Sequence, residues 1–158
     1  MIRTTFMAVP NRTLVLATKA VLAAAFSSFF AAVMTVASIV VARSDLDWRL
    51  VGSIGVYAMI AAVLGVGVGA LLRASAGAVA LLLLWPLVAE PMLGNLPDIS
   101  PVVGPYLPFG NAFRFIGVQW LYPDYDMPWG EPGSIVYFAA VTAAVFVAAL
   151  VTVNRRDA

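Results

Sequence analysis

Four long apolar runs, separated by short polar breaks, dominate the chain; they lie near 13–42, 51–72, 76–94 and 134–153. About 20 helical residues cross a hydrocarbon core about 30 Å thick, so each run predicts a membrane-spanning helix. The first run is longer than a crossing requires, and Lys19 inside it can send its flexible stem back to water. RSDLDWRL joins the first two runs and RAS joins the second and third, which makes these spans adjacent and antiparallel. The fold class predicted is all-α: a polytopic membrane protein in one transmembrane domain, with four spans.

The connector at 95–133 breaks this pattern. It reads NLPDISPVVGPYLPFGNAFRFIGVQWLYPDYDMPWGEPG and is dense in proline, glycine and aromatic residues. A structureless loop of that length is uncommon in a compact domain. Phe109, Phe113, Ile116 and Trp120 fall at i, i+4, i+7 and i+11, one face of a short amphipathic helix. Tyrosine and tryptophan favour the headgroup layer. The expectation is a short re-entrant element lying in or dipping into the outer interface.

Composition confirms the solvent and narrows the chemistry. The chain is 63% hydrophobic and 11% charged, well below the charged share of soluble domains. Its net charge of +1 gives no electrostatic case for nucleic acid. There is no cysteine and no histidine, which removes thiolate nucleophiles, disulfides, the commonest general base and the commonest metal ligand. No metal or catalytic residue is expected.

Lysines and arginines set the orientation. Arg3, Arg12, Lys19, Arg73, Arg155 and Arg156 fall on one side of the four spans, against Arg43, Arg49 and Arg114 on the other. The second side also collects Asp45, Asp47, Asp98, Asp124, Asp126 and Glu131. Both termini are therefore expected in the cytoplasm. The opening MIRTTFMAVPNR, with its two arginines before an apolar run, looks like a signal peptide. That reading is set aside, because the run is about twice as long as a signal core and three more spans follow.

Several stretches invite a role. Gly65 and Gly69 form a G-x-x-x-G pair, which clears one helix face and predicts close helix packing. The same stretch lacks the third glycine and preceding strand of a dinucleotide site, and the chain has no phosphate-binding G-x-x-x-x-G-K-[ST] loop. Pro86 should kink the third span by removing the bond to the Leu82 carbonyl. Glu90 lies in the outer half of that span. It reads either as a residue lining a transport path or gate, or as a helix end already among the headgroups, and the second reading is favoured. Asp124, Asp126 and Glu131 read as a solvated outer surface. In 1–12, Ile2, Phe6 and Val9 share a helical face, which suits a lead-in on the inner leaflet or a contact for a cytoplasmic partner.

Three of these stretches and the chain's ending carry a family resemblance. MIRTTFMAVPNRTLVLATKA resembles the part of ABC-2 type transporter permeases that runs from the cytoplasmic loop into the third span. GVGVGALLRASAGAVA is similar to the family's segment between its fourth and fifth spans. YLPFGNAFRFI is similar to the outer segment before its last span, and NRRDA to its arginine-rich close.

The resemblance implies the membrane half of an ATP-driven exporter in the plasma (inner) membrane, moving substrate by alternating access. It implies a cytoplasmic ABC ATPase subunit and a second permease copy or homologous permease as partners. ATP and magnesium would be held by the ATPase, with no cofactor on this chain. Ile2, Arg3, Phe6 and Arg12 would sit at the ATPase interface. Pro86, Glu90, Phe109, Phe113 and Trp120 would line the outer gate or substrate path. The family has six spans and this chain corresponds to the last four, so it is expected to be incomplete at its N-terminus. The competing expectation is a small accessory or assembly subunit that transports nothing.

Overall fold

The computed structural model of the protein describes residues 12–72, 74–118, 122–123 and 125–155. Four helical stretches are long and apolar enough to cross a membrane: Thr13–Val41, Trp48–Leu72, Ser75–Gly94 and Glu131–Arg155. The described residues form no strand, and the protein is an all-α, multi-pass membrane protein. The observed spans match the apolar runs to within a few residues at each end.

Helix α1 (Arg12–Val41) packs lengthwise on α2 (Trp48–Leu72), and α2 packs on α7 (Glu131–Arg155). The third span is built in three pieces: α3 (Ser75–Leu84), a π-helical turn (Trp85–Ala89) and α4 (Glu90–Gly94). Thr13 and Asn154 exchange side-chain hydrogen bonds of 3.2 and 3.1 Å, so α1 begins where α7 ends. At the opposite end Arg49 pairs with Glu131, joining the starts of α2 and α7. Both partners are more than half exposed, so the pair adds little stability.

The short connectors end their helices by local chemistry. Arg43 adopts a left-handed conformation (φ 53°), and Arg43 and Ser44 donate to the carbonyls of Val40 and Ile39. This pattern closes α1 in the way glycine usually does. Asp47 Oδ1 then accepts from the backbone N–H groups of Arg49 and Leu50 at 2.9 and 3.3 Å, which caps α2.

The glycines that let helices approach are not the predicted pair. A Cβ on Gly67 would meet the Phe146 Cα and a Val145 methyl at 3.4 Å, and one on Gly55 would meet Ser28 Oγ at the same distance. A Cβ on Gly69 would meet nothing within 4 Å, and one on Gly65 only a Leu82 methyl at 3.8 Å. Within this chain the close α2–α7 contact is made at Gly67, and the face carrying Gly65 and Gly69 stays open. Both faces are small, but only one is turned toward α7.

The centre of the bundle is a cluster of Leu64, Val68, Ala78, Phe109, Ala112 and Phe138, drawn from α2, α3, α7 and a connector helix. Helix α6 (Pro108–Ile116) belongs to the 95–133 connector, so part of that connector supplies core rather than covering it. Before α6 come a short helix, α5 (Ser100–Val103), and a 3₁₀ turn (Gly104–Tyr106).

Candidate functional site

The site is organised by the interruption of the third span. Pro86 has no N–H and its ring cannot fit an ordinary helical turn. Instead of a simple kink, the chain forms a π turn in which the Glu90 N–H reaches back five residues to the Trp85 carbonyl. The wider turn brings positions i and i+5 onto one side, where an α-helix would spread them apart. The Trp85 Nε1–H therefore donates to Glu90 Oε1 at 2.9 Å. The turn also leaves the Pro86 carbonyl without a helical partner. Glu90 has given its N–H to Trp85, and Pro91, the next position, has none to give. The Tyr122 hydroxyl takes that place, lying 3.3 Å from the Pro86 carbonyl and 3.3 Å from Glu90 Oε2.

Glu90 has no exposed surface. Its carboxylate accepts from the backbone N–H of Phe109 (3.1 Å to Oε1, 2.9 Å to Oε2) and from that of Gly110 (3.0 Å to Oε2). These are the second and third residues of α6. A helix start leaves four N–H groups without helical partners, and α6 accounts for all of them. Leu107, just before the helix, gives its N–H to the Gly104 carbonyl at 3.2 Å, Pro108 has none, and Phe109 and Gly110 give theirs to Glu90; the Asn111 N–H makes the first helical bond, to the Leu107 carbonyl at 3.0 Å. A helix start so deep in protein is tolerated because every group is satisfied there.

Every group aimed at Glu90 is a donor, as an ionised carboxylate requires. No cation pairs with it among the described residues; the positive end of α6 and the indole and phenol hydrogens take that role. Burial, followed by the charge of Glu90, pushes the Tyr122 hydroxyl well above its usual pKa, so it remains a donor. Glu90 is thus neither a residue exposed on a path nor a helix end among headgroups. It is the cap of α6, supplied by a different helix.

The rest of the connector is fixed in the same manner. Asn111, fully buried, donates to the carbonyls of Pro105 and Leu107 at 2.9 Å each and accepts from Trp129 Nε1 at 2.8 Å. The Tyr125 hydroxyl donates to the Gly94 carbonyl at 2.8 Å. Its ring fills a slot between Gly94 and Gly104, and a Cβ on Gly104 would come within 2.6 Å of the ring's Cζ. Burial raises the Tyr125 pKa, with the Glu90 charge adding to it. Gly104→Ala is expected to expel the ring and lose the Gly94 bond, costing about 1–2 kcal/mol. Thermal unfolding in detergent, with Tyr125 accessibility to a phenol reagent, would test this; unchanged values would contradict the slot.

Helix α6 ends at Ile116. Gly117 takes φ 85°, Gly117 donates to the Arg114 carbonyl and Val118 to that of Phe113, a closed helix end. The predicted face through Trp120 is therefore cut at Ile116, and Trp120 lies outside the described residues. Gly117, visible in the sequence, was the stop signal. Phe109 and Phe113 do share a face, but it is turned inward: Phe109 lies 5.3 Å from Phe138 and Phe113 lies 6.0 Å from Tyr57, between ring centres.

Phe109, Phe113 and Pro86 come together with Tyr57, Leu64 and Leu82 around a cavity of about 280 Å³ between α2, α3 and α6. Leu83 and Leu87 also line it and are 56% exposed, so it communicates with the outside of the bundle. Glu90 is not on its wall; it acts behind it, through α6. Tyr57, Tyr122 and the π turn were not singled out by the sequence. The proline pair around W-P-L-V-A-E-P was the available signal for the turn. Ile2, Arg3, Phe6 and the side chain of Arg12 lie outside the described residues; α1 begins at Arg12.

Comparison with protein-family models, curated proteins and solved structures gives no match.

Proposed function

We propose that the chain is a membrane-spanning permease subunit of an ATP-binding-cassette exporter, driven by a separate cytoplasmic ATPase and paired with a second permease. The observation that carries this reading is the 95–133 connector. It folds a capped helix, α6, back onto α2 and α7, where the resemblance expects short helices dipping into the membrane. The cavity bounded by Pro86, Phe109 and Phe113 is the part of the substrate path this chain would supply. Both termini are placed in the cytoplasm on the arginine and lysine balance, so Ile2, Arg3, Phe6 and Arg12 face the ATPase.

The test is co-expression with each ABC ATPase subunit encoded in the same genome, followed by mild solubilisation and affinity purification. The ATPase is expected to co-purify with the wild-type chain, and Arg3→Asp with Phe6→Asp is expected to reduce its recovery at least fivefold. Absence of the ATPase from the wild-type preparation would overturn the exporter reading in favour of an accessory subunit. Recovery unchanged by the double substitution would remove the coupling role of these residues.

A further inference from the structure

Lys19 is a cation on an apolar wall with no acidic partner among the described residues. Helix α1 has 30 residues and is about 45 Å long at 1.5 Å per residue, so about 7 Å overhangs each side of a 30 Å hydrocarbon core. Lys19 then lies just inside the core boundary, and its four-carbon stem returns the ammonium to phosphate level. Its side chain is exposed, and no acidic side chain pairs with it among the described residues.

Lys19 lines a groove of about 880 Å³ between α1 and α2, bordered also by Ser75 of α3 and Val153 of α7. Ala23, Ala62, Gly65, Gly69 and Ser75 are among its lining residues. Gly65 falls about 10 Å from the end of α2, about as far in as the Lys19 backbone on α1, and Gly69 about 5 Å from that end, one turn nearer the membrane surface. Gly69 has open space where a side chain would stand. The result is an apolar groove in which Lys19 is the one charged side chain among the described lining residues.

We infer that this groove binds one anionic phospholipid, with the phosphate at Lys19 and an acyl chain along Gly65 and Gly69. Charge decides the occupant. The acidic residues that the structure describes, Asp45, Asp47, Glu90, Asp98, Asp126 and Glu131, belong to the opposite half of the bundle. A two-fold contact with a second copy centred on this groove would bring Lys19 to Lys19 with no acid in the lining. A lipid phosphate supplies the missing charge, and its chain fits the channel beneath.

The full chain, purified in mild detergent, would be titrated with phosphatidylglycerol or phosphatidylcholine and read by native mass spectrometry. The wild type is expected to hold phosphatidylglycerol at least fivefold more than phosphatidylcholine. Lys19→Gln should abolish that preference, Lys19→Arg should retain it, and Gly69→Leu should lower retention of both lipids by filling the channel. Gly69→Leu keeps the test open should Lys19→Gln fail to fold. The inference is overturned if the wild type shows no preference, or if Lys19→Gln keeps it. It is also overturned if the chain is a dimer that Gly69→Leu splits, which would give the groove to a second copy.

Discussion

Glu90→Gln is expected to destabilise the protein by roughly 2–4 kcal/mol. The glutamine side chain fits the same space but keeps one acceptor oxygen and gains an NH₂ group. The Phe109 and Gly110 N–H groups, the Trp85 indole and the Tyr122 hydroxyl all point donors at this position. The amide therefore leaves at least one buried donor unanswered and sets its own hydrogens against others. Tyr122→Phe should cost less, about 1–2 kcal/mol, since the Pro86 carbonyl and Glu90 Oε2 lose the shared hydroxyl but the carboxylate keeps its two backbone donors and the Trp85 indole. Unfolding by a detergent titration measures both. Equal stability of Glu90→Gln and the wild type would mean that the carboxylate does not cap α6.

Gly67→Leu is expected to cost about 3 kcal/mol or more, whereas Gly69→Leu changes stability by less than about 0.5 kcal/mol. At Gly67 the obstacle is the Phe146 backbone at 3.4 Å, which cannot rotate away as a side chain can. A leucine there must part α2 from α7 and disturb the Leu64, Val68 and Phe138 cluster. At Gly69 the new side chain enters open space. The same unfolding titration compares the two. A large loss at Gly69 with none at Gly67 would reverse the assignment of the packing face.

The spans were legible because a bilayer imposes a length that apolar runs record directly. The helical connector was also legible, through the spacing of Phe109, Phe113 and Ile116. Its extent was not, because the period was carried through Gly117, which takes a conformation a continuing helix does not use. The G-x-x-x-G pair showed that one face of α2 is bare, but not which bare face meets a neighbour; Gly67 lies between the two glycines and points elsewhere. The role of Glu90 is not written in its neighbours along the chain. Its partners are largely backbone N–H groups 19 and 20 residues away, and backbone donors leave no mark on side-chain identity. A carboxylate near a helix end therefore looks like a solvated terminus unless its acceptor capacity is matched to a second helix start.

The central claim is that Glu90 holds the start of α6 against the third span. Amide hydrogen–deuterium exchange of residues 108–116 in lipid nanodiscs tests it most directly, with the wild type set beside Glu90→Gln. Slow exchange is expected at Phe109 and Gly110 in the wild type and at least tenfold faster exchange in the variant, with 12–41 and 131–155 unchanged. Equal protection of Phe109 and Gly110 in the two proteins would contradict it.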